Sequence, residues 1–189
     1  GDNTTNTSTA SADARKYNPL TSILSLANNG PIVGYAIAKD TAEINRLLAI
    51  KEVAAGLPRD LRLKWGVAPA DASAEVPVFE LYAIKSTERS GKAPLEGDVV
   101  DDAKSDYDTY GKPSVSMSMN TEGARKWALL TRQNIGKAIA IVLDGYVYSA
   151  PNVSNEITGG RSQITGNFTP EQAKDLANVL KSGKMPAPA

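Results

Sequence analysis

The chain has 189 residues, with 21 basic and 21 acidic side chains and neither His nor Cys. Zero formal net charge and 6% aromatic residues remove the electrostatic and stacking case for gripping nucleic acid or an anionic membrane. The missing His and Cys remove disulfides, thiol nucleophiles, the commonest zinc ligands and the side chain most used for proton transfer near neutral pH.

Residues 1–18 are Thr, Ser, Asn, Ala and Asp with Tyr17 as the one aromatic, and read as a flexible lead. The other reading is a short arm that docks through Tyr17. Leu20, Ile23, Leu24 and Ala27 fall at helical spacing after Pro19, until Asn28-Asn29-Gly30-Pro31 ends the turn. Residues 32–38 alternate as a strand, with Gly34 marking a bulge or a close approach. Asp40, with Glu43 three residues on, has the pattern of a capping box. Ile44, Leu47, Leu48 and, at the far end, Val53 make the buried stripe of that helix, and Gly56-Leu57-Pro58 stops it. Residues 61–65 read as a short strand, 68–77 as a loop and 78–85 as a clear strand. A subdomain boundary is expected in the polar turn 86–92.

Residues 98–107 read as a weak helix carrying Val99, Val100 and Ala103. The stretch 114–151 organises the chain as a whole. Val115, Met117 and Met119 alternate with Ser114, Ser116 and Ser118, as in a half-buried strand. Asn120 or Thr121 caps a helix with Ala124, Trp127, Ala128 and Thr131 on one face, and Gly136 stops it. Residues 138–143 are apolar on both faces and predict a strand covered on both sides. Asp144-Gly145 predicts a type I′ hairpin that returns through 146–149, pairing Leu143 with Tyr146, Val142 with Val147 and Ile141 with Tyr148. Residues 152–161 form a loop and 162–165 a last short strand. In the final helix Thr169 caps, Pro170 takes the first position, Gln172 completes a capping box and Phe168 staples to Ala173. Ala173, Leu176, Ala177 and Leu180 face the core, and Gly183, Pro186 and Pro188 end the helix. Strand, helix, strand, hairpin and strand are the grammar of an α+β, two-layer sheet-and-helix fold.

The polar clusters admit ordinary explanations. Glu96, Asp98, Asp101, Asp102, Asp106 and Asp108 suit a cation site at first sight. A calcium loop opening at Asp106 would place Tyr110 at its fifth position and Met117 at its twelfth, so two ligands fail and a solvated acidic face is expected. Gly159-Gly160-Arg161-Ser162 lacks the spacing and Lys of a phosphate loop and reads as a loop needing positive φ. Ser114, Ser116 and Ser118 have no base in their segment. Asp144 beside Tyr146 and Tyr148 is a turn residue, and Trp127 is core. No residue is assigned a catalytic, cofactor-binding or metal-ligating role, and no cofactor is expected.

An ordered set of short motifs is similar to one family. Its pieces are Ala140-Ile-Val-Leu-Asp144-Gly145, Ser149-Ala150-Pro151, Ile157-Thr-Gly159-Gly160, Ile164-Thr-Gly166-Asn-Phe168, Glu171-Gln-Ala173, Leu176-Ala177 and Lys184-Met-Pro186. Asn120-Thr-Glu-Gly123-Ala124, the Asp40-Thr41-Ala42 helix start and the Glu80-Leu-Tyr82 strand join them. Over roughly 19–186 the set resembles the large extracytoplasmic domain of SecD, the accessory subunit of the bacterial Sec protein-export machinery. The segment 85–108 is similar to SecD of the Bacteroides group. The family's Asp-Leu-Lys-Gly-Gly-type segment and its membrane helices are missing, no apolar run approaches the roughly 18 residues of a membrane span, and the chain opens on Gly1 without Met. An excised piece of a larger protein is expected, with a sheet edge left exposed in the base.

The resemblance implies a transport module and not an enzyme. It implies a ferredoxin-like base with an inserted α+β head: 19–85 base, 86–166 head, and 167–186 a closing helix that returns to the base. It further implies an unfolded preprotein as ligand, SecF and the SecYEG channel as partners of the full-length protein, no nucleic acid, and attachment to the bacterial inner membrane through helices outside this chain, with the domain facing the periplasm. An extracytoplasmic solute- or surface-binding α+β domain is the alternative. A hydrolase built on an Asp/Glu pair is the third reading and requires two carboxyls in one cleft.

Overall fold

The computed structural model describes residues 18–28, 30–71, 73–86 and 92–183. The expected flexible lead therefore lies outside the described residues, apart from Asn18, as does most of the polar turn 86–92. The chain forms two compact units, Gly1–Lys85 and Ser86–Ala189.

In the first unit the strands are β1 (Ser25–Leu26), β2 (Ile32–Ile37), β3 (Leu61–Trp65) and β4 (Val78–Lys85), in the order β1-β2-β4-β3 with antiparallel neighbours. β4 lies between β2 and β3, so those two run parallel. The βαββ connection of β2, helix, β3 and β4 is the split arrangement found in half of a ferredoxin-like fold. Gly34 serves both expected purposes: the register shifts between Ile32 and Gly34, and a Cβ there would lie 2.8 Å from Leu24 Cδ1. The predicted single helix is two, α1 (Thr41–Leu48) and α2 (Lys51–Gly56). Ile44 and Leu47 are buried as expected, whereas Val53 is exposed.

The capping box at Asp40 does not form. A 3-10 turn over Ala38–Asp40 leads into α1 and holds Asp40 at φ −94°, ψ −11°, with no side-chain cap. An N-cap needs extended backbone to aim its side chain at the first-turn N–H groups. Glu43 instead pairs with Arg46, its Oε1 2.6 Å from the guanidinium.

The second unit contains β5 (Val100–Tyr107), β6 (Pro113–Met119), α3 (Thr121–Gln133), β7 (Ile141–Leu143), β8 (Tyr146–Ser149), β9 (Arg161–Thr165) and α4 (Pro170–Ser182). β5-β6-β9 form one antiparallel sheet and β7-β8 a separate hairpin. Val115, Met117, Met119, Trp127, Ile164, Ala173, Leu176, Ala177 and Leu180 share one core.

Four expectations change here. Residues 98–107 form a 3-10 turn (Gly97–Val99) and then β5, not a helix. A bulge between Val100 and Asp102 turns Val100 and Ala103 to the same buried face, which gave them helical spacing. Of residues 138–143, three form a strand, and Val142 is exposed, so the strand is covered on one face only. The hairpin pairs Leu143 with Tyr146 and Val142 with Val147 as predicted, but a bulge shifts Ile141 to Ser149. The closing helix packs on β5 and β6 and belongs to the second unit, not to the base.

The caps of the second unit follow the sequence. Asn120 Oδ1 accepts from Gly123 N at 2.8 Å. Thr169 Oγ1 accepts from Gln172 N at 3.2 Å, and Thr169 N donates to Gln172 Oε1 at 2.8 Å, completing the box with Pro170 in the first turn.

Candidate functional site

The β5–β6 register sorts the second unit's sheet into two faces. Val115, Met117 and Ile164 turn inward. On the other side stand three cross-strand rows: Asp102, Ser118 and Arg161; Lys104, Ser116 and Gln163; Asp106, Ser114 and Thr165. Gln163 Nε2 lies 3.1 Å from Ser114 Oγ and 3.4 Å from the Tyr107 carbonyl. Ser116 Oγ donates to Asp106 Oδ2 at 3.0 Å. Ser114 and Ser116 thus tie the sheet's polar face together.

Of the candidate cation residues, Asp106 and Asp108 are spent on a turn, while Glu96 lies 3.9 Å from Lys92 and Asp102 3.3 Å from Lys181. Asp106 Oδ1 accepts from Tyr107 N at 2.9 Å. That bond first, and the Ser116 hydroxyl second, hold the Asp106 carboxyl below the usual carboxylate range. Asp108 Oδ1 accepts from Tyr110 N at 2.8 Å and Lys112 N at 2.9 Å. Gly111, at φ 74°, completes the bend. Among the described residues no three His, Cys, Asp or Glu side chains gather as a metal site. The turn presents Tyr107 at 60% and Tyr110 at 87% exposure.

The β7–β8 hairpin presents a third exposed aromatic. Asp144 (φ 49°) and Gly145 (φ 86°) both take the positive φ of the predicted turn. Tyr146 stands 51% exposed beside it, while Val147 is buried. Ser149 Oγ donates to the Thr165 carbonyl at 2.9 Å and fastens the hairpin to the end of β9. Thr131, fully buried, donates to the Trp127 carbonyl at 2.8 Å and accepts from Ile157 N at 3.0 Å, which pins the loop before β9 to α3. Gly160 completes that approach: at φ +64°, a Cβ there would lie 2.7 Å from Ala124 Cβ. Trp127 is core, as expected, although its Nε1 has no partner among the described residues.

In the first unit, Tyr82 donates to Glu80 Oε2 at 2.6 Å. Burial first, then that bond, pushes the Tyr82 phenol well above its ordinary pKa. A shallow groove there is lined by Pro19, Leu20, Leu47, Ile50 and Val53, with few polar groups to orient a solute. Among the described residues no helix is long and apolar enough to cross a membrane. Two residues of the second unit escaped sequence reading. Gln163 carries no motif, and the part of Thr131 as a bridge requires knowing that the loop before β9 returns to α3.

The family profile for the SecDF P1 head subdomain matches residues 82–187, more than half of the chain. The protein translocase subunit SecD of Rhodothermus marinus is 42% identical over 175 residues, which cover 92% of this chain and 27% of that protein. SecD of Sebaldella termitidis is 44% identical over 106 residues, covering 56% of this chain and 26% of its own. The chain spans about a quarter of the length of these curated relatives. A crystal structure of SecDF in the super-membrane-facing form superposes at a TM-score of 0.46 with 34% identity, covering 82% of this chain and 19% of that one. That score is low, so the assignment rests on sequence: the chain belongs to the SecDF family, whose P1 head subdomain profile matches residues 82–187.

Proposed function

We propose that this chain is the extracytoplasmic domain of a Sec translocon accessory subunit, and that it binds emerging preprotein and assists export driven by the proton-motive force. The second unit is the head that holds the preprotein, and the first is the base. In the full-length protein, membrane helices outside this chain anchor it to the bacterial inner membrane with the domain facing the periplasm. SecF and the SecYEG channel are its partners there. The work is mechanical holding, with no bond made or broken. The observation that carries this reading is the head-subdomain match over 82–187, joined to relatives named as translocase subunits. The exposed Tyr107, Tyr110 and Tyr146 support it, since aromatic side chains supply contact area at low entropic cost to a sequence-tolerant surface.

Site-specific photo-crosslinkers in the intact membrane subunit test the proposal. With a secretory precursor arrested in the channel, probes at Tyr110 and Tyr146 are expected to capture it, and probes at Leu26 and Val76 of the first unit are not. Absence of precursor adducts from every second-unit position overturns the reading.

A further inference from the structure

The two edges of the β5-β6-β9 sheet are built differently. β5 is broken by the bulge between Val100 and Asp102 and carries Asp101, Asp102, Lys104 and Asp106. Bulges and charges are the devices by which a sheet edge avoids recruiting another strand. Lys181 of α4 also reaches Asp102 at 3.3 Å. β9 lacks the bulge and carries a single charge, Arg161. Its register with β6 is continuous from Arg161 to Thr165, and it contains no proline and no acidic residue.

The register also says which backbone groups face outward. Met119 N donates to the Gly160 carbonyl at 2.8 Å. In an antiparallel ladder hydrogen-bonded and non-bonded pairs alternate. Met117 with Ser162 and Val115 with Ile164 are then the bonded pairs. Arg161, Gln163 and Thr165 turn their N–H and C=O groups away from β6. Ser149 Oγ occupies the Thr165 carbonyl. Among the described strands β9 pairs with β6 alone, which leaves the outward backbone groups of Arg161 and Gln163 without a strand partner, and both residues are exposed.

We infer that the outer edge of β9 takes an extended polypeptide segment as an added strand. The inference deepens the proposed function and rests on it: it names the part of the second unit that touches preprotein and the chemistry of the contact. Donors and acceptors spaced along an edge are matched by any extended backbone, whatever its side chains. That tolerance is what a holder of many different unfolded chains requires. Two residues with both outward backbone groups free form a short edge, so the added strand is held weakly and released readily. A folded partner has few unpaired extended backbones to offer, and a charged ligand finds Arg161 as the one charge in the strand.

The test uses the isotope-labelled chain and a short, uncharged, unstructured peptide of alternating Val and Ser, with a second copy of that peptide N-methylated at alternate residues. Gln163→Pro removes one outward N–H and spares the bonds to β6, because proline is tolerated where a strand's N–H faces solvent. Gln163→Ala controls for the side-chain bond to Ser114. The peptide is expected to shift the Arg161 and Gln163 amides. Gln163→Pro and N-methylation are each expected to weaken binding about tenfold, and Gln163→Ala no more than about twofold. Where Gln163→Pro disturbs the β6 amides themselves, the N-methylated peptide against the unaltered chain decides. Binding that survives both changes overturns the edge and leaves the proposed function standing. Shifts at β9 that grow with chain concentration alone, with slowed tumbling, identify a second copy as the occupant and overturn it too. Failure of the crosslinking test, by contrast, removes the proposed function itself.

Discussion

The first unit closes its core with a sheet and one buried helical face, whereas the second closes its core with a sheet and two helices of 13 residues. In the first, Ile44 and Leu47 are the helical residues that are buried, and α2 buries none. In the second, Trp127, Ala173, Leu176, Ala177 and Leu180 all reach one cluster with the inner face of β6. Both of its helices begin at side-chain caps, and neither helix of the first unit does. The difference teaches where a holding function is best placed. A platform with satisfied helix ends and a continuous core can leave an edge and three tyrosines exposed without losing its shape.

Core truncations probe that comparison most strongly. Leu176→Ala is expected to cost about 2–5 kcal/mol, since the side chain is fully buried among β-sheet and helix neighbours. Hydrogen exchange should show the loss in β5, β6 and α4, with the amides of β2 and β4 keeping their protection. Ile44→Ala should give the reverse map, because the two buried clusters share no residue. Equal loss in both units from either change would show that they do not close their cores separately.

Thr131→Val comes next. The shape is kept, but Ile157 N loses its acceptor and the Trp127 carbonyl its extra donor. Leaving a half-buried N–H unsatisfied costs about 1 kcal/mol, the low end of the buried range. Urea denaturation should report that loss, and the Ile157 amide should exchange faster than the amides of β9. The smallest contrast sharpens the difference in caps. Thr169→Ala should cost about 1 kcal/mol, and Asp40→Ala no more than about 0.5 kcal/mol, because only Thr169 bonds the first turn of its helix. Equal costs in thermal unfolding would contradict the backbone geometry at Asp40.

What was legible in the sequence was local chemistry. Asp144-Gly145 needs nothing beyond its own two φ angles, and Thr169, Pro170 and Gln172 satisfy one another within one helical turn. The alternation of Val115, Met117 and Met119 with three serines survives because β6 is central and regular. The misses share a cause in backbone irregularity. A bulge makes Val100 and Ala103 imitate a helix, another moves Ile141 off its partner, and a 3-10 turn withholds the cap from Asp40. The candidate surface was less legible than the fold. The outward direction of the Arg161 and Gln163 backbone depends on which neighbour β9 has, and strand propensity says nothing about that. The place of α4 was misread for a related reason: its apolar stripe predicts burial but not the sheet it will cover.

The central claim is that the second unit holds an extended polypeptide. Titrating the labelled 189-residue chain with an unfolded secretory substrate, followed by backbone amide shifts, tests it most directly. Shifts gathered in residues 86–183, strongest along β9 and at Tyr107, Tyr110 and Tyr146, are the predicted result. Shifts confined to the first unit, or none at millimolar substrate, would contradict it.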